Sequence, residues 1–440
     1  MFPRLRPVDP QWVRVDGEDL LWLRDPLDLA GPGRVVLVPA PLVPLVAACD
    51  GTRDVSALER ELRLTSGGVV GPGTVRQVLE ALDEALLLEG DRLQRALGAA
   101  LADYRAQPFR PATLAGPSYP ADPAALASLF GSFGARWEAE AVTGDLGASA
   151  DALATGITPD PAAALKRIDG AAGLLSPHID YTRGGTVYAA TWEPALAALQ
   201  SAEVVVIFGT DHAGSAGRLT PTRLPYATPW GSLPLDVEAV EAFGAALGEG
   251  VAFGEELHHR REHSIELAAA WLHWGLRRCG RQGDSLPPLV PVLCGSFHPY
   301  VQEGCPLPEG DPVLAGAFDA LARAVEGRKA LVVSAADLAH VGPAFGDRSP
   351  LDGAAREALA RSDDDLLGPA LSGSAAAFLE ALRAGCDRTR VCGLPPTYWT
   401  LRLLERLKGG PLPGRLTGYQ QCPAGEAFGS VVSIAGILWQ

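Results

Sequence analysis

The sequence predicts an α/β protein: a central, mostly buried sheet with helices on both faces, preceded by a small winged-helix-like N-terminal domain. Three observations carry that expectation. From about residue 170 onward, short runs rich in Val, Ile and Leu alternate with stretches of helical periodicity. Those runs are apolar at nearly every position, as strands buried on both faces require. The first hundred residues instead hold two short strand patterns and amphipathic helices, and a stretch rich in Pro and small residues separates them from the rest.

In chain order, "DLLWLRDP" and "GRVVLVPA" read as strands, and "DVSALERELR" and "GTVRQVLEALDEALLLEG" as amphipathic helices. They define a module over 1–100. It holds 11 Arg against 15 acidic residues, which denies it the basic footprint of a DNA-binding winged helix and favours contact with protein or peptide, or a structural cap. Residues 101–116, within "LADYRAQPFRPATLAGP", have the composition of a linker. In 117–440 the candidate strands are 173–176, 203–209, 289–295, 329–335 and 430–438. Helical patterns fall at 186–200, 236–247, 263–278, 311–326, 351–368, 373–384 and 395–407.

Composition bounds the function. A net charge of −15 over 440 residues argues against nucleic acid and against an anionic membrane surface as partners. The N-terminus lacks the apolar core of a signal peptide, and no apolar stretch approaches the roughly 20 residues of a membrane span. Seven scattered cysteines without a Cys-x-x-Cys pair suit reduced thiols, so the expected compartment is cytoplasmic.

Ligands gather at the carboxyl ends of strands in such sheets, and five of the eight histidines fall there or at a helix start. His178 follows "GLLSP", His212 follows "VVVIFGTD", His298 follows "VPVLCGSF" and His340 follows "LVVSAADLA". His263 opens a helix, with Glu266 one turn on along the same face. Any one of these, taken alone, reads first as a hydrogen-bonded structural histidine; their joint placement at one sheet edge points to a metal site. Cys392 stands at the start of a helix, where the backbone favours a thiolate, the form that binds metal. Asp337 and His340 lie three apart: either an N-cap with a neighbouring histidine, or a carboxylate orienting a catalytic one. Asp180, Tyr181 and Arg183 are either solvated loop residues or the mouth of a pocket, and Gly184 and Gly185 let backbone and ligand approach closely.

An ordered series of motifs resembles the Memo family, and more closely its bacterial members called AmmeMemoRadiSam system protein B. The series runs "SYPADPAALASLFGSF" (118–133), "SPHIDYTRGG" (176–185), "GTDHAG" (209–214), "EHSIE" (262–266), "SAADLAH" (334–340), "VCG" (391–393) and "GSVVSIAG" (429–436). Residues 10 to 95 resemble PqqD-like domains, which bind peptides. The Memo resemblance implies a fold like that of class III extradiol dioxygenases. It also implies a mononuclear metal held by His178, His212 and Cys392, with Asp337 and His340 beside it as catalytic groups together with Cys392. Asp180, Tyr181, Arg183, Asp211, His263, Glu266 and His298 are the expected substrate pocket. Iron is the first expectation for the metal, copper the next, zinc the third. The implied chemistry is redox or oxygen-dependent, on a small-molecule or peptide substrate, in a pathway shared with radical SAM and AMMECR1-like proteins. The alternative is a non-catalytic adaptor that binds peptide or protein through the pocket and the N-terminal module.

Overall fold

The computed structural model describes residues 2–440 apart from Pro32, 66–72, 144–169, Glu303, Cys386 and 426–427. The chain divides into two units, 1–106 and 107–440.

In the first unit β1 (Asp9–Val15), β2 (Glu18–Arg24) and β3 (Val35–Pro39) form an antiparallel sheet in that order. β1 has no counterpart among the strands expected from sequence. Asp16 and Gly17 join it to β2 at φ 52° and 86°, the two positive values that a two-residue hairpin turn demands. Helices Val43–Ala47, Val55–Thr65, Thr74–Glu84 and Asp91–Arg105 follow. The second begins where the Asp54 carboxylate accepts the Ala57 N–H at 2.7 Å. Leu23, Val38, Leu45, Leu58, Leu82 and Leu87 make the core of this unit. Residues 101–105 complete its last helix, so the expected linker 101–116 is split, and Arg110 is fully buried in the second unit.

The second unit is built on a mixed sheet of eight strands: β4 (Gly173–Ser176), β5 (Val204–Thr210), β6 (Leu219–Pro221), β9 (Leu289–Cys294), β10 (Ala330–Ala335), β11 (His340–Val341), β12 (Gly414–Pro423) and β13 (Val431–Trp439). Between β6 and β9, β7 (Tyr226–Thr228) and β8 (Gly231–Leu233) form a separate pair. The sheet order is β11-β13-β4-β10-β5-β9-β6, with β12 on β13. β4, β10, β5 and β9 run parallel, so their carboxyl ends share one edge; β13 and β6 flank them antiparallel. β12 and the short β6, β7, β8 and β11 are absent from the sequence expectation.

Every residue of β5 is buried, and its side chains alternate between two cores. Val204, Val206 and Phe208 pack with helices Val237–Leu247, Pro312–Val325 and Leu394–Lys408. Val205 and Ile207 pack with helices Pro123–Thr143, Tyr181–Trp192 and Ser264–Arg278. This two-sided burial explains the unbroken apolar runs in the sequence. The helix expected at 186–200 starts earlier, at Tyr181, because the Asp180 carboxylate caps it by accepting the Arg183 N–H at 3.2 Å. It ends at Trp192, and Leu196–Ser201 forms a separate helix.

Gly184 and Gly185 serve packing inside that helix, not ligand approach. A Cβ at Gly184 would collide with Ile179, and one at Gly185 with the Phe133 ring of the neighbouring helix. At Gly185 the missing side chain lets two helices meet, and at Gly184 it admits Ile179 from the preceding turn.

Candidate metal centre

Three strand ends and one helix start converge at the shared sheet edge. β4 stops at Ser176, and Pro177 leads to His178. Asp337, two residues beyond β10, fixes this turn: its Oδ1 accepts the N–H of His178 at 2.8 Å and of Ile179 at 3.2 Å. His178 Nδ1 lies 2.9 Å from the Ala335 carbonyl. A carbonyl only accepts, so Nδ1 carries the hydrogen and Nε2 is the nitrogen left for a ligand bond.

His212 sits two residues beyond β5. Its Nδ1 and its N–H both lie 3.0 Å from Glu262 Oε2. The other oxygen of Glu262 accepts the N–H of His263 at 2.8 Å and of Ser264 at 3.0 Å, and lies 3.1 Å from His263 Nδ1. One buried carboxylate thus sets the tautomer of His212 and stacks the His212 and His263 rings with centroids 4.9 Å apart. Glu262 pays for its burial with these donors: burial opposes its ionisation, yet the His212 and His263 charges hold it well below the usual carboxylate range.

Cys392 precedes the helix Leu394–Lys408, and its Sγ lies 3.4 Å from His178 Nε2. The intervening Gly393 is required by close approach, since a Cβ there would overlap the Asp337 carbonyl and Ala336. The expected help from the helix terminus does not materialise. The Gly393 N–H is spent on the Asp337 carbonyl at 3.1 Å and that of Leu394 on Val391 at 3.3 Å, while Pro395 and Pro396 have none. The imidazoles act instead. Burial would push the Cys392 thiol up, but the His178 charge and hydrogen bonds from His178 and His212 bring it down to about 5. Burial likewise opposes a charge on His178, yet Asp337 and Cys392 raise it to about 9. The two form an imidazolium–thiolate couple.

The ligand atoms of His178, His212 and Cys392 all lie within 4.8 Å of one another. Each imidazole has its far nitrogen held by an oxygen acceptor, as metal-bound histidines do, and the thiol is already ionised near neutral pH. This donor set fits a single Fe, Cu or Zn ion with an open coordination position.

A cavity of about 740 Å³ opens over the group, and Asp180, Tyr181, Arg183, His263 and His340 help line it. Asp180 pairs with Arg183 Nε at 2.5 Å, and the buried Tyr181 donates to the Leu267 carbonyl at 2.8 Å. Asp337 does not orient His340. The segment 336–339 is not helical, Asp337 holds the His178 turn, and His340 Nδ1 lies 3.2 Å from the Leu338 carbonyl. Glu266 is no pocket residue either. It is buried, forms an ion pair with Arg110, and accepts from the Leu114 N–H at 2.8 Å and the Tyr119 hydroxyl at 2.6 Å. It faces away from His263 and ties 110–119 to the domain. Asp211 and His298 line a separate cavity of about 720 Å³, which also reaches His212 and Cys392. Glu262, within "EHSIE", is a functional residue not expected from the sequence; a glutamate directly before a histidine at a predicted helix start is the signal that points to it.

Residues 110–279 match the family model of Memo-like proteins, a stretch that supplies His178, His212, Glu262 and His263. The chain is 27% identical over 367 residues to a MEMO1 family protein of Thermus thermophilus, covering 83% of this chain and 94% of that one. It is 24% identical over 443 residues to a MEMO1 family protein of Aquifex aeolicus, covering the whole of both. A MEMO1 family protein of Thermotoga neapolitana is 31% identical over 180 residues, 40% of this chain and 56% of its own. The chain is therefore Memo-like over residues 110–279 and similar to MEMO1 family proteins along its length.

Proposed function

We propose that the chain is a mononuclear metalloprotein of the AmmeMemoRadiSam system protein B type, with an extradiol-dioxygenase-like fold and redox or oxygen-dependent chemistry. The observation that carries this reading is the convergence of His178, His212 and Cys392 within 4.8 Å, both imidazoles having their far nitrogens already engaged. When bound, the ion supplies a Lewis-acidic, redox-capable centre with a position open to substrate or oxygen, iron being the first choice and copper the next. The chain's own groups bind, orient and carry protons. Arg261 and the Arg183–Asp180 pair, both on the wall of the 740 Å³ cavity, suit a substrate bearing an oxygen-rich group. His340 on the same wall, with Nδ1 directed at the Leu338 carbonyl, keeps Nε2 to give or take a proton. The shared pathway with radical SAM and AMMECR1-like proteins, and a cytoplasmic setting, follow from the resemblance and the free cysteines; among the described residues no helix is long and apolar enough to cross a membrane.

Elemental analysis of anaerobically purified protein tests the reading. Near-stoichiometric iron or copper, lost in Cys392→Ser and His178→Ala, supports it. A metal-free protein that takes up no iron, copper or zinc on titration overturns it.

One observation favours the adaptor as a second reading. The outer face of the N-terminal sheet carries Val13, Leu20, Trp22 and Leu37 in register, and Leu37 is 45% exposed. A PqqD-like module would present such a face to peptide. Peptide capture that survives Cys392→Ser supports this reading; loss of all capture in that variant counts against it.

A further inference from the structure

Two cavities reach the proposed metal ligands, and the reading above uses only one of them. Among the described residues, the first cavity is lined by His178 and His212 and not by Cys392. The second, of about 720 Å³, is lined by His212 and Cys392 and not by His178. The three ligands are thus approached from two sides.

The two linings differ in the donors they offer. The first presents Arg261 and the Arg183–Asp180 ion pair, and its Asp337 is engaged by the N–H groups of the His178 turn. The second is lined by Asp387, Asp211, His212 and Cys392, with His298 exposed. Asp387 uses Oδ1 to accept the Val391 N–H at 2.8 Å, while both oxygens of Asp211 are engaged, Oδ1 by the Ala213 N–H at 3.1 Å and Oδ2 by His258 Nδ1 at 2.9 Å. Its one arginine, Arg390, is held by the Asp347 carboxylate and donates to the His340 carbonyl at 2.9 Å. A cation meets the Asp387 carboxylate, the His212 and His298 imidazoles and the Cys392 sulfur on the second approach, whereas the first offers imidazoles and, among the described residues, no sulfur. Clefts lined by one sign of charge concentrate ions of the other and raise their on-rates.

We propose that the second cavity is the loading route for a divalent transition-metal cation, which passes His298 and Asp387 and reaches the Cys392 sulfur and the His212 ring without crossing the substrate cavity. This rests on the metal-site reading. It makes the division of the ligands functional: substrate occupies the His178 and His340 side while the ion is exchanged from the Cys392 side. Asp387 acts as a positioning residue for the incoming cation.

The test is stopped-flow uptake of Co(II) by the metal-free full-length protein, read from the thiolate-to-cobalt absorption band. Val301→Trp narrows the second cavity and Ala344→Trp the first. Val301→Trp is expected to slow uptake by about tenfold or more with an unchanged end-point, and Ala344→Trp to leave the rate within about twofold. Asp387→Asn, which removes a charge with little change of shape, is expected to slow uptake by about three- to tenfold at low salt and hardly at all at high salt. It stands in for Val301→Trp if that variant does not fold. Slowing by Ala344→Trp with Val301→Trp and Asp387→Asn unaffected, or equal rates in all three, overturns the proposal. A wild-type protein that yields no cobalt band at all overturns the metal site itself, a different result from a misplaced route.

Discussion

Glu262→Gln probes the geometry most severely for the smallest change in shape. Both oxygens of Glu262 face donors: Oε2 meets the N–H and Nδ1 of His212, each at 3.0 Å, and Oε1 meets the N–H groups of His263 and Ser264 at 2.8 and 3.0 Å. A glutamine amide has one acceptor and one NH₂, so on whichever side the NH₂ sits it confronts two N–H groups. Two charge-assisted hydrogen bonds are lost at about 1.5 kcal/mol each, so the variant is expected to be about 3 kcal/mol less stable. His212 also loses the partner that fixes its tautomer, which lowers metal affinity by roughly 10- to 100-fold. Urea denaturation of the metal-free protein reads the first effect, and competition for Zn(II) against a chelator reads the second. A Glu262→Gln protein within about 0.5 kcal/mol and twofold of wild type would refute the clamp.

Three further outcomes are expected. Alkylation of metal-free protein by iodoacetamide should label Cys392 with a midpoint near pH 5, ahead of Cys49, which burial holds at about 11; peptide mass spectrometry with a Cys392 midpoint near the ordinary thiol value would contradict the imidazolium–thiolate couple. His259 is buried, and burial lowers its ring to about 3, so below the unfolded value of about 6.5 the unfolded chain takes up a proton that the folded one refuses, and stability falls with pH. His259→Gln should therefore lose about 2 kcal/mol less than wild type between pH 7.5 and 5 in urea titrations, and equal losses would refute the assignment. Arg110→Met strands Glu266 as a buried charge and should cost about 3–5 kcal/mol, part of it recovered by adding Glu266→Gln; a double variant no better than the single would show that the ion pair is not the cause.

The architecture was largely legible because the parallel strands are buried on both faces, and such strands write themselves as unbroken apolar runs. β4, β5, β9, β10 and β13 fall within a residue or two of their apolar runs, and the histidines and Asp337 therefore lie at strand ends as their positions imply. β1, β12 and the two- and three-residue strands β6, β7, β8 and β11 escaped: β1 carries "DPQWVRV", and β12 carries "GRLTGYQQCP", where polar residues and glycines hide an edge pairing with β13. Partner choice was illegible for a different reason. Glu266 turns from His263 to Arg110, 156 positions away, and Asp337 turns from His340 to the His178 turn, 159 away. Helical spacing states which residues could meet, not which distant donor competes for a carboxylate. The Cys392 microenvironment shows the same limit: the sequence placed the thiol at a helix start, but Gly393, Pro395 and Pro396 leave that start without spare donors, and two histidines from other strands set its ionisation.

X-ray absorption at the zinc edge of zinc-loaded protein addresses the central claim most directly. The account predicts one sulfur at about 2.3 Å and nitrogen donors at about 2.0–2.1 Å with an imidazole outer shell, the sulfur vanishing in Cys392→Ser. A first shell without sulfur, or with oxygen donors alone, would contradict a site made of His178, His212 and Cys392.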